Sequence, residues 1–260
     1  MSERRTALGA LVAQENQAEL AAADLHYREL NAQVRQAIAA GATRVRVRGV
    51  NGQRYLADGL RGQVRVEIEG VPGNDLAAFM DGPWVEVFGN AQDGIGNTMN
   101  AGRVVVHGDA GDVVGYGMRG GLILVQGNVG YRVGIHMKEY AGTPPAIVVG
   151  GRAGAFLAEY MAGGLILVLG LEGGDRPLVG DFCGTGMHGG LVVLRNRLDR
   201  EHLSPHVHAA PATPDELRLI APYLDEFCRA FRVPAARLQG DRYFVLRPAS
   251  SRPYGNKYAL

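Results

Sequence analysis

Three groupings of residues have types and spacings that could do chemistry. Gly115-Tyr116-Gly117-Met118-Arg119-Gly120 spells G-x-G-x-x-G, and Gly184-Thr185-Gly186-Met187-His188-Gly189 spells it again. In a strand–turn–helix unit that spacing lets backbone amides cradle a pyrophosphate at a helix N-terminus. Cys183 and His188 lie close in the chain, with His136 further upstream; a thiolate nucleophile needs a histidine within hydrogen-bond reach. The stretch REHLSPHVH places His202, His206 and His208 together, as a metal clip would. G-x-S-x-G, C-x-x-C and H-E-x-x-H are absent.

The surroundings decide what the glycines are for. The third glycine of the first motif runs into Gly121-Leu-Ile-Leu-Val-Gln126, which is strand chemistry and not the opening of a helix. Behind both motifs lies a repeat. Met80, Met99, Met118 and Met137 are each 19 residues apart; Met161 follows after 24 and Met187 after 26. The strand-closing glycines Gly70, Gly89, Gly108 and Gly127 keep the same 19-residue step, followed by Gly151 and Gly170. Inserts fall near 138–146 and 171–177. A unit of one strand and two glycine corners suits one coil of a parallel β-helix, in which successive coils stack about 4.8 Å apart. The glycines then serve the corners, where Asn90, Asp109 and Asn128 also tolerate left-handed backbone.

Periodicity assigns the faces. Four and two residues before each closing glycine stand Val66/Ile68, Val85/Val87, Val104/Val106, Ile123/Val125, Ile147/Val149 and Ile166/Val168, and Val192/Leu194 continue the pattern. These are the expected interior, with the methionine column filling a corner of it. The intervening outward positions begin polar, at Arg65, Glu67 and Glu69. They turn apolar at Trp84, Phe88, Leu122, Leu124, Val148, Leu165, Leu167, Leu169, Leu191 and Val193. A solvated face would stay polar, so the dry part is expected to be covered by the C-terminal helix or by another polypeptide. Trp84, Phe88, Leu122, Leu124, Leu165, Leu167 and Leu169 are the candidate partner-binding residues. Two coils separate His136 from Cys183, about 10 Å, too far for a catalytic pair. His188 reads as a corner residue and the three linker histidines as solvated. No catalytic, cofactor-binding or metal-binding residue is assigned.

The expected fold class is all-β: a right-handed single-stranded parallel β-helix of about seven coils of about 19 residues, with α-helical N- and C-terminal flanks. Residues 1–58 read as a cap, with a helix over about Ala18–Ala40, a strand over Thr43–Arg48 and a turn at Asn51-Gly52. Residues 59–198 form the coil stack. Residues 199–260 read as a linker, a helix from Pro214 to Phe231 capped by Thr213, and an irregular tail from Arg247. A net charge of +1 gives no reason to expect a nucleic-acid partner, and the apolar runs are too short for a membrane span. Two cysteines make no disulfide framework, and Met1-Ser-Glu-Arg-Arg shows no signal-peptide pattern, so a cytoplasmic location is expected.

The ordered corners GNAQDGIGNTMNAG, GDAGDVVGYGMRGG, GNVGYRVGIHMKEY and GDFCGTGMHGG resemble the GXGXG family. That domain forms the C-terminal β-helix of the glutamate synthase large subunit and also occurs as separate subunits of glutamate-synthase-like enzymes such as N-methylglutamate synthase. One of the subunits of formylmethanofuran dehydrogenase is a more distant relative. The resemblance covers about residues 60–198 strongly. It implies a non-catalytic scaffold that positions a class II glutamine amidotransferase subunit and an FMN-binding synthase subunit. FMN and an iron–sulfur cluster are expected on those partners, and no cofactor on this chain. Met1-Ser2 offers no N-terminal cysteine nucleophile of the amidotransferase kind. The alternatives are a component of a formylmethanofuran dehydrogenase or formyltransferase type of complex, and a free-standing enzyme with a site near Cys183 and His188.

Overall fold

The computed structural model describes residues 16–140 and 142–250. The elements run β1 (Gln17–Ala21), α1 (Tyr27–Ala39), β2 (Arg44–Asn51), β3 (Arg65–Val71), β4 (Asp81–Phe88), β5 (Ala101–Val106), β6 (Leu122–Val125), β7 (Ala146–Val149), β8 (Ala162–Val168), β9 (Gly189–Arg195), β10 (Val207–Pro211), α2 (Pro214–Phe231) and β11 (Tyr243–Pro248). β1 through β9 pair in chain order and in parallel, so each strand lies beside the strand of the next coil. The result is a parallel β-solenoid of about six turns. β11 then pairs antiparallel with β9, and β10 with β11, which closes the sheet order as β9-β11-β10.

The interior is the one the periodicity requires. All fourteen inward aliphatic residues from Val66 to Leu194 are buried, and Val45 and Val47 of β2 add a further rung. The six methionines Met80, Met99, Met118, Met137, Met161 and Met187 stack in the same core with no exposed surface. At the corners, side-chain ladders tie coil to coil. Asn90 Oδ1 accepts from the Asp109 N–H (2.9 Å), and Asp109 Oδ1 accepts from the Asn128 N–H (2.6 Å). In a second column Asp93 accepts from the Asp112 N–H and Asp112 from the Tyr131 N–H, both at 2.8 Å. Asp and Asn recur in the repeat because each satisfies an amide that the corner would otherwise leave unpaired.

Two segments differ from the sequence expectation. The N-terminal cap is not one helix over Ala18–Ala40: Gln17–Ala21 is a strand that pairs with β2, and the chain turns at Asp24 (φ 63°) before α1 begins. Pairing along an open sheet edge overrides the helix preference of Ala-Glu-Leu-Ala. The segment before residue 59 thereby contributes two strands to the same sheet as the coils. At the other end, the linker after residue 198 contains β10, and Arg247 and Pro248 belong to β11. The rest of the expected irregular tail, 251–260, lies outside the described residues, as do Met1-Ser2 and Ala141 of the first insert. The C-terminal helix forms where its signals place it. Thr213 accepts from the Glu216 N–H, the Glu216 carboxylate accepts from the Thr213 N–H (2.8 Å), and Pro214 opens the first turn.

Candidate partner-binding face

The outward face of the sheet divides into a charged half and an apolar half. On the charged half Glu67 is almost fully buried among arginines: Arg44 donates to Oε1 (2.6 Å), Arg46 donates to Oε2 (3.0 Å), and Arg65 Nε lies 2.9 Å from Oε1. Burial pushes the Glu67 carboxyl up, but the bonds from Arg44 and Arg46 and the charges of Arg44 and Arg65 outweigh it, and the net shift is downward. Glu86 accepts from Arg65 (2.6 Å) and meets His107 Nε2 at 2.9 Å. Strand alternation aims these side chains to one face, and parallel register stacks them in neighbouring rungs.

Trp84 and Phe88 stand at the border of the two halves. The Trp84 ring lies between the guanidinium groups of Arg65 (4.5 Å) and Arg103 (4.9 Å). Phe88 stacks on His107 at 5.0 Å, and His107 meets Phe231 of α2 edge-on at 5.2 Å. Both candidate residues keep open surface, 37% for Trp84 and 44% for Phe88. Both are exposed, Trp84 between two arginines and Phe88 against His107.

The leucines occupy a different environment. Leu124, Leu165, Leu167 and Leu169 are buried, and Leu122 is half-buried. They form a second apolar cluster with Val148, Val193, Ile220 and Phe227, outside the solenoid interior. Ile220 and Phe227 are the buried side of α2, which lies across β5 to β9. Arg103 pairs with Glu226, and Arg247 with Glu216, at the two ends of the helix. Of the seven candidate partner residues, these five are therefore occupied by this chain's own helix, and Trp84 and Phe88 remain open. The expected covered face is covered only over its leucine part, and there the cover is α2.

The remaining candidates do not converge into a site. The Cys183 thiol is fully buried, and burial pushes it up to about 12, so it carries no thiolate at neutral pH. His188 is exposed and its Nδ1 lies 3.1 Å from the Gly186 carbonyl. His202 Nδ1 lies 2.6 Å from Asp181, while His206 accepts from the Gly186 N–H at 3.0 Å and sits beside Ser204. Among the described residues no three His, Cys, Asp or Glu side chains are grouped to hold a metal. The glycine motif is structural. Gly115 has φ 69°, and a Cβ there would lie 2.5 Å from Ile147 Cδ1. Its N–H donates to Ile95, and that of Gly117 to Ile135 (2.8 Å each), so neither amide is available to a phosphate.

A feature that sequence reasoning missed lies at the corners. Arg132 sits 4.7 Å over the Phe156 ring, which stacks on Phe182 at 5.0 Å. His136 stacks on Tyr160 at 5.4 Å and meets Tyr116 edge-on at 5.9 Å. Phe156, Phe182, His136 and Tyr160 all have φ between 53° and 64°, left-handed backbone that bulky side chains rarely adopt. Their signal was in the repeat, since glycine fills the equivalent columns in other coils, at Gly94 and Gly117.

Comparison with known proteins places this architecture. Residues 17–238 match the GXGXG motif family. The chain belongs to the GXGXG family. The GXGXG match begins at β1, so it takes in the N-terminal strands as well as the coils. This GXGXG chain is also 42% identical over 246 residues to the uncharacterized protein MJ1350 of Methanocaldococcus jannaschii, covering 91% of this chain and 94% of that protein. Its fold is similar to a chain in the crystal structure of the formyltransferase/hydrolase complex FhcABCD of Methylorubrum extorquens with methylofuran. The TM-score is 0.60 at 24% identity, over 78% of this chain and 73% of that one. Among the described residues of the GXGXG chain, no helix is long and apolar enough to cross a membrane.

Proposed function

We propose that this protein is a non-catalytic assembly subunit of a multisubunit enzyme, acting in the cytoplasm. The observation that carries the reading is the border of the outer face. Trp84 and Phe88 are oriented by Arg65, Arg103 and His107 yet remain exposed beside a rigid sheet. Interface hot spots are enriched in tryptophan and arginine, the combination found at Trp84. The potential nucleophile Cys183 is spent on core packing.

Two readings of the enzyme follow. The likeness to a chain of a formyltransferase/hydrolase complex favours a formyl-transfer assembly, in which this chain takes the place of the solenoid subunit. The GXGXG motif favours a glutamate-synthase-like assembly, in which the partners are a class II glutamine amidotransferase and an FMN-binding synthase, with FMN and an iron–sulfur cluster on those chains. The comparisons support the first reading better. Co-expression separates them: the tagged protein is produced with each candidate set of subunits and purified, wild type beside Trp84→Ala/Phe88→Ala. A stoichiometric complex with one set that the double variant loses, while its thermal melt is unchanged, supports the proposal. Association with neither set, or association indifferent to the double variant, refutes the assignment of this face.

A further inference from the structure

A second surface, at the opposite end of the solenoid from β10 and β11, is chemically distinct. α1 lies against the first corner and leaves an open groove of about 470 Å³ between them, lined by Tyr27, Arg28, Asn31, Arg35, Tyr55 and Asp58. Arg54 adjoins it, with its guanidinium 5.3 Å from the Tyr27 ring and 5.9 Å from the Tyr55 ring. Arg28 lies 5.8 Å from the same Tyr27 ring, and the two tyrosine rings are 5.6 Å apart. Asn31 fixes the arrangement by donating to the Tyr27 and Arg54 carbonyls at 2.8 and 2.9 Å. Arg35 donates to the Asp58 main-chain carbonyl, not to its carboxylate (2.5 Å).

Several arginines of the sheet are paired, and those at this groove are not. Arg44, Arg46, Arg65, Arg132 and Arg195 each pair with a carboxylate. Among the described residues Arg28, Arg35 and Arg54 pair with none, and Asp58 is the one carboxylate lining the groove. Burial holds Asp58 above the ordinary carboxylate range, with Arg35 opposing and Asp75 adding to the shift. Tyr55 has the left-handed backbone of its corner column (φ 61°), and its ring is exposed. Arg28 and Arg54 lie within 5.9 Å of the tyrosine rings, and Arg28 Nε also donates to the Tyr27 hydroxyl (3.3 Å); carboxylate is the group a guanidinium fork matches in two parallel bonds.

We propose that this groove docks an acidic segment of a partner polypeptide, whose carboxylates bridge Arg28, Arg35 and Arg54 while an apolar side chain lies on Tyr27 and Tyr55. Openness favours an extended chain over a small molecule. A small-ligand pocket encloses about 70–90% of its ligand, whereas Arg28, Arg35, Arg54 and Tyr55 are all exposed. The inference stands apart from the Trp84/Phe88 face and from the identity of the complex. Its test uses the isolated full-length protein and a fluorescein-labelled peptide of alternating Glu and Leu, with the Gln/Leu peptide as control, read by anisotropy. The expected result is binding of the acidic peptide alone, weakened by salt and weakened roughly tenfold or more by Arg28→Ala/Arg54→Ala. Arg218→Ala, an exposed arginine on α2, should leave it unchanged. Circular dichroism of the double variant confirms that the fold is intact, and Arg28→Lys/Arg54→Lys, which keeps the charge but loses the fork, should restore only part of the affinity. Three results overturn the proposal: no binding to wild type, binding indifferent to the double variant, or displacement by inorganic phosphate or adenosine monophosphate at lower concentration than by the unlabelled acidic peptide. The last would mark a small-anion site.

Discussion

Replacing Leu167 by arginine tests whether α2 is a structural cover. Leu167 has no exposed surface, lies between Val148 on β7 and Val193 on β9, and belongs to the cluster that holds Phe227. The substitution removes a buried leucine, a loss of about 2–3 kcal/mol. It also brings a guanidinium into an apolar cluster under α2, a further cost of several kcal/mol unless α2 lifts away. A total of about 4–6 kcal/mol, at about 2–4 °C per kcal/mol for a chain of this size, lowers Tm on the order of 10 °C or more. The solenoid interior is on the other side of the sheet, so the variant should lose α2 first. Limited proteolysis should cut between residues 211 and 242 well below the global melt. Circular dichroism and proteolysis on wild type and L167R decide the matter. A variant that melts within about 2 °C of wild type, with α2 as resistant as before, refutes the assignment of this face to α2, because a buried unpaired charge cannot be that cheap.

Other predictions follow from single contacts. Gly115→Ala meets Ile147 Cδ1 at 2.5 Å in left-handed backbone and should cost about 1–3 kcal/mol by urea denaturation; Gly142→Ala, with nothing near its Cβ, should cost less. Cys183, buried and pushed up to about 12, should resist a thiol reagent at pH 8 in the native state and react on unfolding, so two fast-reacting thiols in native protein would contradict its placement. The Glu67 carboxyl is held below its unfolded value of 4.5, so its contribution to stability is complete above that pH and is lost as pH falls through the lower folded value. Glu67→Gln should therefore flatten the acid limb of a stability–pH curve below about pH 4.5 and leave Arg44, Arg46 and Arg65 without their shared anion; an unchanged limb would show that the pairing does not favour the ionised form.

The solenoid was legible because its physics repeats. Each coil needs two inward aliphatics, a methionine and a glycine corner, and a column of six methionines cannot be mistaken for local preference. The C-terminal helix was legible for a local reason, the Thr213-Pro214-x-Glu216 cap. Residues 17–21 were not legible, because Ala-Glu-Leu-Ala favours a helix in isolation and becomes a strand only through its partner Val45–Arg48. The leucine face was readable as covered but not as to its cover, since Leu165, Leu167 and Leu169 look the same under α2 as under a foreign chain. The groove beneath α1 could not be seen at all. It exists only because a helix and a corner separated by some twenty residues bring Tyr27, Arg28, Arg54 and Tyr55 together.

The claim that this chain assembles an enzyme and does not act as one is tested most directly by activity of a reconstituted complex. The candidate partner subunits are purified with and without this protein, and turnover is measured together with mass by light scattering. The protein alone should turn over no substrate and should join the others in fixed stoichiometry, and Cys183→Ser should leave the activity of the complex unchanged. Turnover by the isolated protein that Cys183→Ser abolishes, with its fold and oligomeric state intact, would contradict it.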